Sequence, residues 1–594
     1  MKFLTDSCKG CALLVILTGL LVLLPGLNTL PLIDRDEPRF AQAAREMAER
    51  QDWIIPTFNG AYRFDKPPLI YWLMRAGYAV AGVCEAAARW QSVLSAVGVG
   101  LLILAMGRRW HSLKAGLLGA LAWLTSFQVF IHGRLSLADM PMVFFVTMSS
   151  WALYELLTVP QDKRYGRWFW LFYLSLGFGF LAKGPVCLVM PLLTVVIWKW
   201  IFRCPTEPVR TLNLLPGLLL VLLVMGFWGV PALLVTHGAY WRVGIGEHVV
   251  HRGAESFNGR VTLPFYYLLT VWLSLFPWSL TLPAWVAELK RRWDSKIAFG
   301  VAWFAAPFFI FTFYATQLPH YLLPGFPAFF LLFGMAAAEF DVTRRGWKTF
   351  TVCFHVLALA LTLLGAGLLL IRPGAVYDVS GGWDFWAACA VRWQGAYPLS
   401  ELTGFIGAVL MILGGLAYFP LALGGKRLYA VCGIMILVFA ATILGREARK
   451  ISAVLNAVKV AENPAVDYLG VGMGFQEPGL VFYTNKTWEF ASNQKSLDEL
   501  PTVKPVLLVV ARKEYLLGDL FSKKHPGGRI FREYEQMPTG PRWVKLGATA
   551  GLNFARAGWV ELDVYRRAPE RAPEPKAMPN AIPNAAPTKT SLGK

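Results

Sequence analysis

The chain reads as an all-α polytopic membrane protein with about 13 transmembrane helices, amphipathic interfacial helices and a small C-terminal α/β domain. Three observations predict this. Of its 594 residues 56% are hydrophobic, with a mean hydropathy of +0.47, too apolar for a soluble chain of this size. Several apolar runs approach the roughly 20 residues that span a hydrocarbon core about 30 Å thick. The 24 Trp and 20 Tyr suit aromatic belts at the two interfaces.

The elements follow in order. Residues 11–30 are apolar and lack a small-residue cleavage site, so they read as an uncleaved anchor. Further spans are expected over 91–106, 113–131, 140–157, 168–182, 184–201, 213–235, 263–285, 297–315, 321–338, 348–371, 401–422 and 427–445. Segment 66–83 is apolar too, but charge argues that it does not cross. With it outside the bilayer core, the basic loops "GRRWHSLK", "QDKRYGRW", "KWIFRCPTEPVR", "ELKRRWDSK", "DVTRRGWK" and "GGKR" all share the side of Lys2 and Lys9, which the positive-inside rule makes cytoplasmic. Arg75 in its middle agrees, because an Arg at mid-bilayer costs about 2.5–3.5 kcal/mol on insertion scales. These loops also account for the net charge of +20, so no nucleic-acid partner is implied; an anionic lipid substrate is a further reason for it.

The first outer loop, 31–90, holds the cluster Asp34-Arg35-Asp36-Glu37. After it Phe40, Ala44, Met47 and Ala48 make one apolar stripe, with Arg45, Glu46, Glu49 and Arg50 opposite. That pattern predicts an amphipathic helix lying on the membrane. Asp36 and Glu37 before Pro38 suit a helix start, although the cluster carries more charge than a cap requires. Asp139 in "HGRLSLADMP" reads as a cap or a functional carboxylate, and Lys183 in "FLAKGPV" as a snorkelling or a functional cation. In "GEHVVHRGAESFNGR", His248 and His251 share a helical face as a structural pair or as metal ligands. With Asp65, Lys66, His320 and Tyr321 these residues collect on the outer face. Ionisable groups at membrane depth mark function. Cations there suit a phosphate, and carboxylates suit a sugar or a metal.

Residues 1–446 therefore form the transmembrane domain. From 447 to 566, "VKPVLLVVARKEYLLGDL" reads as strand then helix, and "GRIFREYE" and "PRWVKLG" as short strands. This gives an α/β domain in the outer compartment. The Pro/Ala-rich tail 567–594 reads as disordered.

The segments "DRDEPRFAQAAREM", "DWIIPTFNGAYRFDKPPLIYW", "SLADMPMVFF", "FLAKGPV" and "HYLLPGFPA" resemble the ArnT and protein O-mannosyltransferase group of C-type glycosyltransferases. The likeness covers residues 10–345 well and the rest in layout, and is nearer the bacterial 4-amino-4-deoxy-L-arabinose transferases. It implies a GT-C fold in a bacterial inner membrane with the active site facing the periplasm. It also implies an undecaprenyl-phosphate sugar donor, and lipid A or another envelope lipid as acceptor. The resemblance places the catalytic carboxylates at Asp36, with Glu37 beside it, and Asp139. It places donor-phosphate binding at Arg39, Lys66, Lys183 and Tyr321. Where the family often has Glu before that Lys, this chain has Asp65, one methylene shorter. A divalent metal held by Asp65 and His248, or His251 in its place, stays open, since two ligands do not define a site. A protein Ser/Thr acceptor and a non-enzymatic lipid-carrier transporter stand as alternatives; the transporter lacks the internal repeats such proteins usually show. On this topology a reporter fused after residue 445 should be active in the periplasm; activity in the cytoplasm would reverse the parity of the spans.

Overall fold

The computed structural model describes residues 7–33, 35–158, 165–203, 212–244, 265–339, 352–353, 355–356, 359–360, 449, 452–461, 467–491, 497, 504–516, 531–533, 542–556 and 558–567. The expected spans 401–422 and 427–445, nearly all of 348–371, His248, His251 and the tail beyond Arg567 lie outside them.

The apolar runs fold into helices with recognisable starts. Helix α1 (Cys8–Leu23) begins after Ser7, whose Oγ accepts from the Gly10 N–H at 3.0 Å. The first outer loop follows with α2 (Asp36–Glu49), a hairpin of β1 (Thr57–Phe58) and β2 (Ala61–Tyr62), and α3 (Leu69–Ala81). Next come α4 (Glu85–Trp110), α5 (Leu113–Leu124), α6 (Phe127–His132), α7 (Asp139–Thr158), α8 (Arg167–Lys183), α9 (Val186–Ile201) and α10 (Leu214–Val235). The bundle continues with α11 (Tyr266–Ser274), α12 (Leu282–Arg291), α13 (Ser295–Phe311) and α14 (Phe326–Ala337). Among the described residues Glu85–Trp110, Asp139–Thr158, Leu214–Val235 and Pro319–Ala337 are long and apolar enough to cross a bilayer. Helix α10 turns Leu215 (70% exposed), Leu223 (70%) and Phe227 (80%) outward, an apolar surface suited to lipid.

Segment 66–83 becomes α3, whose 13 residues reach only about 20 Å at 1.5 Å per residue. It does not span. Arg75 lies 3.6 Å from the Trp53 ring centroid and donates to the Asp52 carbonyl, so the cation is spent at the interface.

Three expectations are corrected. Region 263–285 is not one span: α11 ends at Ser274, a 3-10 turn covers Trp278–Thr281, and α12 starts at Leu282. Pro277 and Pro283 explain this, because each removes a helical N–H and crowds the preceding turn. Region 113–131 likewise breaks at Thr125–Ser126 into α5 and α6. The third concerns α2, whose apolar stripe is covered by protein. Ala41, Ala43, Ala44 and Met47 are fully buried, in a cluster with Ile70, Tyr71 and Met74 of α3 and with Phe482 of the C-terminal domain. Alanines let the neighbours approach on more than one side, which the stripe alone did not reveal.

The described C-terminal residues hold a six-stranded sheet. Strands β3 (Leu469–Met473), β4 (Trp488–Ala491), β5 (Val506–Leu516), β7 (Trp543–Asn553) and β8 (Gly558–Arg567) lie in the order β4-β3-β5-β8-β7, and β6 (Phe531–Glu533) pairs with β5. Strands β3, β4 and β5 run parallel, and β8 is antiparallel to β5 and β7. Helices α15 (Ala453–Ala461) and α16 (Gly479–Thr484) accompany it. The helix expected within "ARKEYLLGDL" is corrected as far as Leu516, which is still strand, because β8 and β6 pair with that part of β5.

One buried ion pair joins these parts. The Arg89 guanidinium of α4 grips Glu37 of α2 through Nε–Oε1 at 2.9 Å and Nη2–Oε2 at 2.8 Å. Its other N–H groups donate to the carbonyls of Leu27, Leu30 and Pro31, each at 2.8 Å. Glu37 also accepts from the N–H groups of Ile33 at 2.9 Å and Ser136 at 2.7 Å. Burial alone would raise the Glu37 pKa, but Arg89 and these N–H donors outweigh it and hold the carboxyl below its ordinary value. The folded pKa lies below the unfolded one, so this stability is present above the ordinary glutamate range and is lost as pH falls through the lowered value. Glu37→Ala strands a buried guanidinium and should cost about 3–5 kcal/mol, read as a fall in the thermal midpoint of the purified protein in detergent. A midpoint unchanged from wild type would refute the anchoring role.

Candidate active site

A cavity of about 440 Å³ opens between the first outer loop, the α8–α9 turn, α10 and the Pro319–Gly325 turn. Its walls are mostly apolar, with Met225, Trp228, Leu222 and Phe311 among them, and both Lys66 and Lys183 line it. Low-dielectric walls make each charge inside count for more than it would in water.

Local sequence explains both lysines. Lys66 follows the hairpin, whose turn is Asn59-Gly60 with φ of +56° and +77°, the left-handed pair that a two-residue hairpin needs. Its stretch is pinned to α10's end of the bundle: the Tyr240 hydroxyl donates to the Lys66 carbonyl at 2.7 Å, and Trp228 Nε1 donates to the Ile54 carbonyl at 2.9 Å. The Asp65 carboxylate sits between two cations, Arg63 at 2.8 Å and Lys66 at 2.9 Å. Arg63 in turn stacks on Phe40 of α2, 4.9 Å from the ring centroid. Lys183 is the last residue of α8. Gly184 follows with φ +80° and its N–H closes on the Phe180 carbonyl at 2.7 Å, the helix ending that glycine favours. Only Gly184 and Pro185 separate it from α9, so its reach is restricted.

Lys183 forms an ion pair with Asp139, the first residue of α7, whose side chain is 6% exposed. Behind them the His132 and His320 rings lie 4.9 Å apart by centroid, with His132 Nδ1 2.9 Å from Gln128. His320 and Tyr321 line the same cavity. Two lysines, Lys66 and Lys183, and one carboxylate, Asp65, line it, with Arg63 paired to Asp65 and Asp139 paired to Lys183, a balance that favours an anion.

The structure therefore brings together Asp65, Lys66, Asp139, Lys183 and Tyr321. Asp36 and Arg39 are not among the lining residues. They pair with each other at 3.4 Å at the start of α2, both partly exposed, and the Asp36 charge reaches Arg63, the partner of Asp65. Glu37 is the correction: it faces Arg89 in the interior and not the cavity, so it serves the scaffold. Arg63 and Lys66 each contact one Asp65 oxygen, and the other expected metal ligands, His248 and His251, lie outside the described residues. Among the described residues no group of three or more His, Cys, Asp or Glu is placed to hold a metal ion. Arg63, Arg89, Trp228 and Tyr240 escaped the sequence reading. Only the Asn-Gly turn, a strong hairpin signal, pointed at the geometry before Arg63.

The fold and the two-lysine cavity together define a membrane protein of the GT-C class. The structure of ArnT from Cupriavidus metallidurans bound to undecaprenyl phosphate superposes with a TM-score of 0.68, covering 94% of this chain and 98% of that one at 20% identity. The dolichyl-phosphate-mannose-protein mannosyltransferase family profile matches residues 65–228, which hold Lys66, Asp139 and Lys183. An undecaprenyl phosphate-alpha-4-amino-4-deoxy-L-arabinose arabinosyl transferase from Serratia proteamaculans is 30% identical over 437 residues, 67% of this chain and 76% of that protein. One of the same description from Edwardsiella ictaluri is 30% identical over 57% of this chain, and the match spans 62% of its own length, under two thirds. The chain belongs to this arabinosyl transferase family.

Removing either lysine should weaken binding of undecaprenyl phosphate to the purified protein, by about tenfold for a loss of about 1.4 kcal/mol. Lys183→Ala also leaves Asp139 unpaired, so Asp139→Asn added to it should recover stability without recovering binding. Full affinity in both alanine variants would remove these lysines from the site.

Proposed function

We propose that this protein transfers a sugar from an undecaprenyl-phosphate carrier to lipid A or a related envelope lipid on the periplasmic face of the inner membrane. The observation that carries this reading is the pairing of Lys66 and Lys183 in one apolar-walled cavity. An anionic head with a long hydrocarbon tail matches both features, and a polyprenyl phosphate has both. The sugar named in the arabinosyl transferase relatives, 4-amino-4-deoxy-L-arabinose, is the proposed cargo.

The chemistry follows from where charge moves. The bond between the anomeric carbon and the phosphate oxygen breaks, and the phosphate leaves with an additional negative charge. Lys66 and Lys183 stabilise that charge, a contribution which grows toward the transition state. Tyr321 borders the same space. Lys183 is oriented by Asp139, and Lys66 by Asp65 and by the Tyr240 bond to its carbonyl. A nucleophilic oxygen of the acceptor forms the new bond to the anomeric carbon. Asp36 lies on the partly exposed side of the first loop. It takes the proton of a hydroxyl acceptor, or, where the acceptor is a phosphate that carries none, stabilises the positive charge that develops at the anomeric carbon.

A second reading has the same donor chemistry and a protein Ser/Thr acceptor; the mannosyltransferase profile over 65–228 favours it. Mass spectrometry of lipid A and of envelope proteins, from cells with and without the chain, separates the two. A pentose-sized addition to lipid A that depends on the chain supports the first reading, and glycosylated protein with unchanged lipid A replaces it with the second. Asp36→Asn should lower the transfer rate by about 10²–10⁴ while undecaprenyl phosphate still binds. Near-normal transfer would reduce Asp36 to a helix-start residue.

A further inference from the structure

The C-terminal domain touches the first outer loop on three sides. At the lead-in to α2, the Tyr483 hydroxyl accepts from the Leu32 N–H at 2.8 Å and donates to Glu85 at 3.1 Å. Beside it Arg35 pairs with Glu477 at 3.3 Å. On the flank of α2, Phe482 is 5% exposed within the cluster of Phe40, Ala41, Ala44, Tyr71 and Tyr78, and Gln42 Nε2 donates to Asn485 at 3.3 Å. At the hairpin turn, Asn59 and Trp488 bond both ways, Nδ2 to the Trp488 carbonyl at 2.6 Å and Trp488 N–H to Oδ1 at 2.9 Å.

We propose that this domain is a positioning element of the active site, and that Tyr483 is its principal positioning residue. The inference rests on the sugar-transfer reading, in which Asp36 works from the first loop. Helix α2 has 14 residues, a length at which an isolated helix is marginal in water. Its conformation therefore depends on what covers it, and Phe482 is part of that cover. Glu85, the partner of Tyr483, opens α4 one turn before Arg89, and Arg89 holds Glu37, the neighbour of Asp36. Tyr483 thus ties the approach to Asp36 to the same helix end that fixes Glu37. Tyr483 is not among the residues that line the Lys66–Lys183 cavity, to which the first loop contributes Phe64–Pro67, beyond the hairpin. Loss of the hydroxyl should then shift the Asp36 side of the reaction and spare donor binding. A displacement on the order of 1 Å is enough to cost a large factor in rate.

The test uses the full chain in detergent, wild type beside Tyr483→Phe and Glu477→Gln. Donor saturation is measured with an undecaprenyl-phosphate sugar, and hydrogen exchange is followed at residues 27–37. The expected result is a kcat lower by about tenfold, a donor KM within about twofold, and faster exchange confined to 27–37. Rescue by no aromatic but tyrosine at 483 supports the hydrogen bond as the cause. Unchanged kcat with unchanged exchange in both variants overturns the proposal, as does an equal rise in exchange throughout the chain, which marks plain destabilisation. If wild type transfers no sugar yet the local exchange effect appears, the sugar-transfer reading fails and the clamp on the first loop stands.

Discussion

The first loop is organised around the Arg89–Glu37 pair. A carboxylate and a guanidinium buried together cost several kcal/mol each in lost hydration, and geometry must offset it. Here each of the five guanidinium N–H donors has an acceptor: the two Glu37 oxygens and the carbonyls of Leu27, Leu30 and Pro31. Lysine has three donors on a point charge and cannot reproduce that planar fork. The pair draws the end of the first segment, the start of α2, the start of α4 and the Ser136 turn to one place. The outer loop becomes a fixed platform, and the hairpin that carries Arg63, Asp65 and Lys66 grows from it.

The cavity then works by contrast. Aromatic and aliphatic walls are what an isoprenoid chain needs, and they deprive the lysines of competing water. Each lysine is held by a carboxylate, which lowers the cost of keeping it in such surroundings and fixes where its head sits. Both positions come from backbone constraints more than from the side chains themselves. Gly184 ends α8 directly after Lys183, and Pro67-Pro68 halts the chain directly after Lys66 before α3 begins. These are short sequence signals, which is why both lysines were legible beforehand.

Long apolar runs were equally legible. Residues 140–157, 213–235 and 297–315 became Asp139–Thr158, Leu214–Val235 and Ser295–Phe311, because hydrophobic length and helix length coincide when nothing interrupts the backbone. The failures came where a distant partner decides. Pairing with β8 and β6 carries "ARKEYL" into strand, though its own pattern admits helix. Arg89 stands two residues before the run 91–106, and its partner lies 52 positions away. The Asp65 environment was hidden for the same reason: Arg63 is close in sequence, but only the hairpin turns its guanidinium back onto the carboxylate.

Asp36 and Glu37 show how two neighbours in one charged cluster meet different surroundings. Successive helical residues point about 100° apart at 3.6 residues per turn, so two adjacent carboxylates at a helix start cannot share an environment. Glu37 turns inward, fully buried, to meet Arg89; the Asp36 side chain, 50% exposed, stays at the surface beside Arg39. A buried and saturated carboxylate has no oxygen left for a substrate. The Asp36 carboxylate instead pairs with Arg39 at 3.4 Å and its charge reaches Arg63, at the start of a helix whose next residue is locked to Arg89.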